Sequence, residues 1–266
     1  MVNRPLVIAV AAGLSGMSFA QTGNSILENG RAPAPAAVQA DKPDEKPVIT
    51  PELRGDIFMA KKQYREAIEA FRQGSPNDPV LRNKTGIAYH QMLQLDQALK
   101  SYQEAVKLKK DYLEAINNIG TIYYARKNFR RSITYYERAL KLEPQSTRTA
   151  AVYNNLGTAF FARKQYKQAF DAFQTALGLD PNVNEHNDGY GVMLEERNVE
   201  ERAKYHYYWA KTYAKNGRND LALQYLRKAL EEGFKEKKQL ATDPEFAALR
   251  GTKEFQDLLA LEPRVL

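Results

Sequence analysis

Any chemistry in this chain has to come from a small set of side chains. It contains three histidines, His90, His186 and His206, and no cysteine. No two histidines form a His-x-x-x-His pair and there is no cysteine, so neither local spacing that marks a zinc site is present. No glycine-rich loop of the phosphate-cradling or dinucleotide-binding kind is present. Asp220, Glu231 and Glu232 read as ordinary helix-surface charges. The residue types therefore argue against an enzyme, and no metal or cofactor is expected. Recognition chemistry is better supplied. Asn117-Asn118 and Asn154-Asn155 are flanked along the chain by Asn83-Lys84 and Tyr207-Tyr208. A side-chain amide both donates and accepts, so it can bond an extended peptide backbone whatever its sequence. Tyrosine and phenylalanine add large contact areas at low entropic cost.

The elements that position these residues are helices in pairs. In residues 113–146, Ile116, Ile119, Gly120 and Tyr123 recur at the spacing of one helical face. After a short polar turn, Ile133, Tyr136, Ala139 and Leu140 repeat that pattern, and Pro144 ends it. Neither helix buries its stripe alone, and a pair covers only one of its own sides. The unit needs neighbours, and the sequence holds them. Gly86 lies 34 residues before Gly120 and Gly157 lies 37 after it. The runs Gly86-Ile-Ala-Tyr89 and Leu156-Gly-Thr-Ala-Phe160 are followed by Ala98, Tyr102 and Ala105, and by Ala169, Phe173, Ala176 and Pro181. Small residues such as Gly120 and Ala139 let helices approach closely, and Tyr123 and Tyr136 fill what remains.

A helix–turn–helix unit with a period near 34 and this order of small and large residues resembles the tetratricopeptide repeat. The resemblance implies an all-α fold, a right-handed α-solenoid of stacked helix pairs. Five repeats are expected over 50–236, at 50–78, 79–112, 113–146, 147–183 and 203–236. The first begins at Thr50-Pro51, a cap with proline in the first turn, and loses about three residues near Gly74, so its second helix should be short. The fourth carries three extra residues, expected to lengthen its first helix by a turn. Residues 184–202 break the period and form an insertion, read as a long loop or as a partner-contacting element. Residues 237–266, with Asp243 and Thr252 as helix caps, are expected to cover the last repeat.

In such arrays the first helices line the concave side. Register with Gly120 then assigns Asn83, Lys84, Ile87 and His90 to the groove in the second repeat, and Asn117, Asn118, Thr121 and Tyr124 in the third. The fourth supplies Asn154, Asn155, Thr158 and Phe161. The fifth supplies Tyr207, Tyr208, Lys211 and Ala214, with Lys204 and Lys215 nearby. The competing reading is that Asn118 and Asn155, common at this position in the family, only bond within the array. Some relatives grip C-terminal carboxylates through a Lys-x3-Asn, Asn, Lys-x3-Arg set. Here Lys84 is followed four later by Ala88, so that clamp is absent. The lysines at the C-terminal end favour an acidic segment on the protein or peptide partner. The expected function is a non-catalytic adaptor, with a structural subunit of an envelope or secretion complex as the alternative.

Residues 1–20 hold Arg4, an apolar run from Leu6 to Leu14 and Ser18-Phe19-Ala20, the layout of a signal peptide cleaved after Ala20. The run is too short to span a bilayer, so a periplasmic or secreted protein without stable membrane insertion is expected. Residues 21–49, with Pro33, Pro35, Pro43 and Pro47, read as a disordered tether. The net charge of +7 comes from 39 basic residues interspersed with 32 acidic ones, so no nucleic-acid partner is expected.

Overall fold

The computed structural model describes residues 49–183 and 199–260, and every regular element among them is helical. Five antiparallel pairs follow one another: α1 (Pro51–Ala60) with α2 (Tyr64–Arg72), α3 (Pro79–Gln91) with α4 (Leu95–Leu108), and α5 (Leu113–Ala125) with α6 (Phe129–Leu140). Then come α7 (Ala150–Ala162) with α8 (Tyr166–Leu179) and α9 (Val199–Lys215) with α10 (Asn219–Glu231). Each helix packs on the one before and the one after it, which makes an α-solenoid.

One contact sets the geometry of each pair. A methyl group on Gly120 would lie 2.6 Å from the ring of Tyr136, sixteen residues later on the second helix. The same clash, at 2.1 to 2.6 Å, links Gly55 with Phe71, Gly86 with Tyr102 and Gly157 with Phe173. Each aromatic ring therefore lies against bare backbone, and all four are essentially inaccessible to solvent. The fifth pair fills this position differently: Ala210 stands where the others have glycine and Leu226 where they have an aromatic ring, both buried in one core cluster. A methyl group is admitted because the opposing side chain is smaller. Total volume across the contact is conserved, as close packing requires.

The turn between the helices of a pair is also invariant in form. Lys62, Leu93, Lys127, Lys164 and Gly217 all adopt the left-handed conformation, with φ between 58° and 72°. The next amide closes back onto the first helix: Gln63 to the Phe58 carbonyl, Gln94 to Tyr89, Asn128 to Tyr123, Gln165 to Phe160 and Arg218 to Tyr213, at 2.9 to 3.0 Å. This is the C-terminal closure that satisfies orphan carbonyls at a helix end.

The ends depart from the repeat. Thr50 Oγ1 accepts from the Leu53 amide at 3.1 Å ahead of Pro51, and α2 is only nine residues long. The three extra residues of the fourth repeat form a 3-10 turn, Thr147–Thr149, closed by a reciprocal Ser146–Thr149 capping box. Helix α9 starts at Val199, so its first four residues fall inside the stretch expected as insertion; residues 184–198 lie outside the described residues, as do the expected signal peptide and tether. Beyond Gly233 comes α11 (Lys237–Thr242), unexpected from the sequence, then a 3-10 turn at Pro244–Phe246 and α12 (Lys253–Ala260). Asp243 caps no helix with its side chain; Thr252 does, accepting from the Phe255 amide at 3.3 Å. Leu240, Phe246, Leu249 and Phe255 are buried against the fifth pair.

Replacing Gly120 with alanine is expected to destabilise the chain by about 1–3 kcal/mol, the usual range for overpacking. The double change Gly120→Ala with Tyr136→Leu copies the fifth pair and is expected to recover part of that loss. Urea unfolding of the two variants decides the matter; equal loss in both would show that the contact is not volumetric.

Candidate functional site: the first-helix strip

The predicted strip divides into side chains spent inside the array and side chains left open. Two positions per repeat do the spending. Asn118 Nδ2 donates to Asn83 Oδ1 at 3.0 Å, and Asn155 Nδ2 donates to Asn117 Oδ1 at 3.2 Å. In both bonds the residue two before the pairing glycine reaches the residue three before the glycine of the preceding repeat. Lys84 makes the same step with charge, placing Nζ 2.7 Å from Glu52 and 2.6 Å from Asp56. Asn117 Nδ2 also reaches Asn118 Oδ1 at 3.5 Å. The result is a ladder running along the first helices from repeat to repeat. Burial depresses the ammonium of Lys84, but hydrogen bonds to Asp56 and Glu52 outweigh it and hold the pKa above the usual lysine value.

The ladder corrects part of the predicted set. Asn83, Asn118 and Asn155 are buried, because each lies between two first helices and not above them. Thr121 and Thr158 are buried too, with hydroxyls turned back to the carbonyls of Asn117 and Asn154. Thr121 also accepts from the Tyr136 hydroxyl at 3.2 Å. Phe161 is buried among Tyr166, Tyr205 and Tyr208. Tyr207 is buried, stacked on Phe234 at 4.4 Å, and its hydroxyl donates to Asp243. Burial and the Asp243 carboxylate both push the Tyr207 phenol far upward.

The basic end is neutralised by the chain's own C-terminal segment. Lys211 Nζ lies 3.4 Å from Asp243 and 3.3 Å from Glu245, and Lys204 lies 3.5 Å from Glu236. The carboxylate that the sequence assigns to a helix cap is thus drawn onto the strip. Detaching it would expose Phe246, Leu249 and Phe255, at about 1.5–3 kcal/mol for each large side chain.

What stays open is narrower. Asn117, Asn154, Tyr124 and Tyr208 are half-buried. Tyr208 stacks on Tyr166 at 5.3 Å with rings 15° apart, and Lys204 lies 5.1 Å above that second ring. Burial and the neighbouring Tyr166 push the Tyr208 phenol up to about 12. Asn154 is the one strip amide where the ladder stops. The fifth repeat presents Tyr208 where an asparagine would close the next rung, and Asn154 Oδ1 is left inaccessible to water and without a hydrogen-bond partner. Sequence reasoning placed Asn154 on the strip but not its unpaired acceptor; the signal was the change from Asn-Asn to Tyr-Tyr at 207–208.

His90 and His206 are half-buried, and burial lowers both imidazoles below the ordinary value of 6.5, partly offset at His206 by Glu232 3.0 Å away. His186 lies outside the described residues. Among the described residues no three His, Cys, Asp or Glu side chains converge to hold a metal, and no helix is long and apolar enough to cross a membrane.

Family models of the tetratricopeptide repeat match residues 111–182 and 203–232, so the chain carries this repeat in the helical array described above. A mouse protein, Protein O-mannosyl-transferase TMTC1, is 38% identical over 85 residues, which cover 30% of this chain and 9% of that protein. Uncharacterized protein ycf37 of Guillardia theta is 36% identical over 98 residues, covering 34% of this chain and 54% of that protein. The chain thus spans about half the length of the second relative and far less of the first. Among solved structures, MamA is 21% identical with a TM-score of 0.46, covering 67% of this chain and 93% of that one. The second TPR domain of human RPAP3, solved in complex with an HSP70 peptide, is 23% identical with a TM-score of 0.38, covering 42% and 92%.

Asn118→Ala strands the buried Asn83 carbonyl, and a loss of about 1–3 kcal/mol is expected from an unpaired buried polar group. Asn154→Ala removes a buried acceptor that bonds nothing and is expected to leave the urea midpoint unchanged or slightly raised. Equal losses would contradict the ladder. Because folding depresses the His90 pKa, the unfolded chain binds its proton first. Stability is full above about pH 6.5 and falls as the pH drops from there toward the folded pKa. Urea midpoints measured from pH 7 to pH 5 should fall for the native chain and fall less for His90→Gln.

Proposed function

We propose that this chain is a non-catalytic adaptor that holds an extended partner polypeptide along its first-helix strip. The observation that carries the reading is the half-buried Asn154 amide, whose Oδ1 has no hydrogen-bond partner, beside the stacked Tyr166–Tyr208 pair. An unpaired buried acceptor costs stability in the free protein, and rotation of the half-buried Asn154 side chain toward the strip brings it to a backbone N–H of a bound strand, which supplies the missing donor. Asn117 and Tyr124 continue the same line toward the N-terminus, and Tyr208 offers a ring face for a flat or apolar side chain. The partner chemistry this favours is a neutral extended segment with an aromatic or proline residue. An acidic segment has less to bind, since Lys204 and Lys211 already face Glu236, Asp243 and Glu245. Asn83, Asn118 and Asn155 serve as the rigid floor that holds the open residues at fixed separation.

The apolar run and Ser18-Phe19-Ala20 near the N-terminus support export to the envelope or beyond, with the proline-rich segment as tether and residues 237–260 as the closing cap. A structural subunit is the second reading. It is favoured by Leu53 and Ile57, exposed on α1 although the positions equivalent to Ile57, namely Ala88, Ile122, Ala159 and Thr212, are fully buried in the other repeats.

The two readings separate under one experiment. Peptides selected against the chain by display are titrated into the native protein and into the combined variant Asn154→Ala and Tyr208→Ala, which leaves the ladder bond from Asn155 to Asn117 intact. The strip reading expects a loss of at least about tenfold in affinity, a change of about 1.4 kcal/mol, with the melting temperature little changed. Undiminished capture by a folded variant would remove the strip and leave the ends as the working surfaces.

A further inference from the structure

Charge is segregated on this solenoid in a way the linear order conceals. The turns joining the two helices in the first four pairs, 61–66, 92–97, 126–131 and 163–168, together hold ten Lys or Arg and two acids, Glu66 and Asp96, a net of +8, while the fifth turn, 216–221, holds Arg218 and Asp220 and sums to zero. The whole chain carries only +7, so everything outside these turns sums to −1. The loops between repeats at 73–78, 109–112 and 141–146 hold three of each sign. The four turns adjoin one another along one edge. Arg65 of the first and Gln94 of the second line one cleft, Arg126 of the third pairs with Asp96 of the second, and Arg126, Arg130 and Arg163 line a second cleft between the third and fourth. Lys127, Arg130, Arg163 and Lys164 make no ion pair among the described residues. The tip of each turn is the left-handed residue, and these read Lys62, Leu93, Lys127 and Lys164. Leu93 is 80% exposed, a large apolar side chain held in water in a backbone conformation that disfavours it, with lysine at the same place in the repeats on either side.

We propose that this turn edge docks on a bilayer surface bearing anionic lipid headgroups, with Leu93 entering the headgroup–acyl boundary and the lysine tips flanking it. A row of tips along one edge meets a flat surface at several points at once. Exposed cations gain from an anionic leaflet only within about a Debye length, roughly 8–10 Å at physiological salt, which suits side chains at turn tips. An apolar residue at the crest gains on entering a membrane boundary. It gains nothing on a nucleic-acid backbone, where stacking rings would be wanted instead. This docking does not depend on the partner strip, which lies on the first helices and not at the turns.

The test is cosedimentation of the full chain with phosphatidylcholine vesicles, with and without phosphatidylglycerol, at low and high salt. Binding is expected to need phosphatidylglycerol and to weaken with salt. The combined variant Lys62→Glu, Lys127→Glu, Arg130→Glu and Lys164→Glu is expected to lose roughly tenfold or more in partitioning, given the usual contribution of each surface cation. Leu93→Ser alone, which alters no charge, is expected to lose roughly threefold, as removal of one inserted apolar side chain requires. All forms share the same N-terminal apolar run, so differences between them report the edge. Circular dichroism melting establishes that the reversed variant is folded; if it is not, the Leu93→Ser comparison decides. Equal vesicle binding by native and substituted chains overturns the proposal. So does vesicle binding that ignores phosphatidylglycerol, or a reversal that abolishes binding of duplex DNA or polyglutamate while leaving vesicle binding intact.

Discussion

The close approach of a ring to bare helix backbone governs this molecule. With Gly120 under Tyr136, and its counterparts in three other pairs, the two helices of a unit have one separation and one rotation available. The left-handed turn residue fixes how far the chain travels before the second helix begins. Together these constraints make the units near copies in space, so equivalent positions fall in line. Ladder, strip and charged edge are all consequences of that alignment. A single residue of slippage in one pair would break the rung above and the rung below it. The fifth pair shows that the constraint is on volume and not on residue type, since Ala210 and Leu226 satisfy it with a different division of atoms.

Alignment makes first-helix polar groups costly, because residues between neighbouring first helices lose water. The asparagine ladder answers that cost, each amide supplying what its neighbour in the next repeat lacks. Most of the strip's hydrogen-bonding capacity is consumed inside the array as a result. Recognition is left to the positions where the pattern changes. Asn154 keeps an unanswered acceptor because Tyr208 replaces the asparagine that would have met it. At the far end, Asp243 and Glu245 from the closing segment answer Lys211, so the strip's basic terminus is internal too. The open residues are few, and each lies at a fixed height above a rigid floor.

Much of the fold was legible because its causes are local. Gly120 followed by Tyr136, the end of α6 ahead of Pro144, the Thr50-Pro51 start and the shortened α2 can all be read within a single repeat. The strip was only half legible. Register placed Asn117 and Asn118 beside each other, but whether an amide faces a groove or a neighbouring repeat depends on contacts 35 to 38 residues away. Asp243 was misread for a similar reason. An aspartate before a proline looks like a cap locally, yet the pull of Tyr207 and Lys211 comes from more than 30 residues upstream. Helix α11 is only six residues long and too short for a periodic signal. The charged edge was invisible for the opposite reason. Basic clusters in the turns of the first, third and fourth repeats look interspersed along the chain and come to one edge only when the repeats stack.

The division of the strip into floor and open residues is tested most directly by side-chain amide exchange. With asparagine side chains assigned by NMR, exchange of each NH2 group is followed in the free chain and in the presence of a captured peptide. The amides of Asn118 and Asn155 should be protected in the free chain and unmoved by the peptide, while the Asn117 and Asn154 resonances shift on its addition. Rapid exchange at Asn118 and Asn155 in the free chain, or peptide-induced shifts centred on them, would contradict the ladder and the account that rests on it.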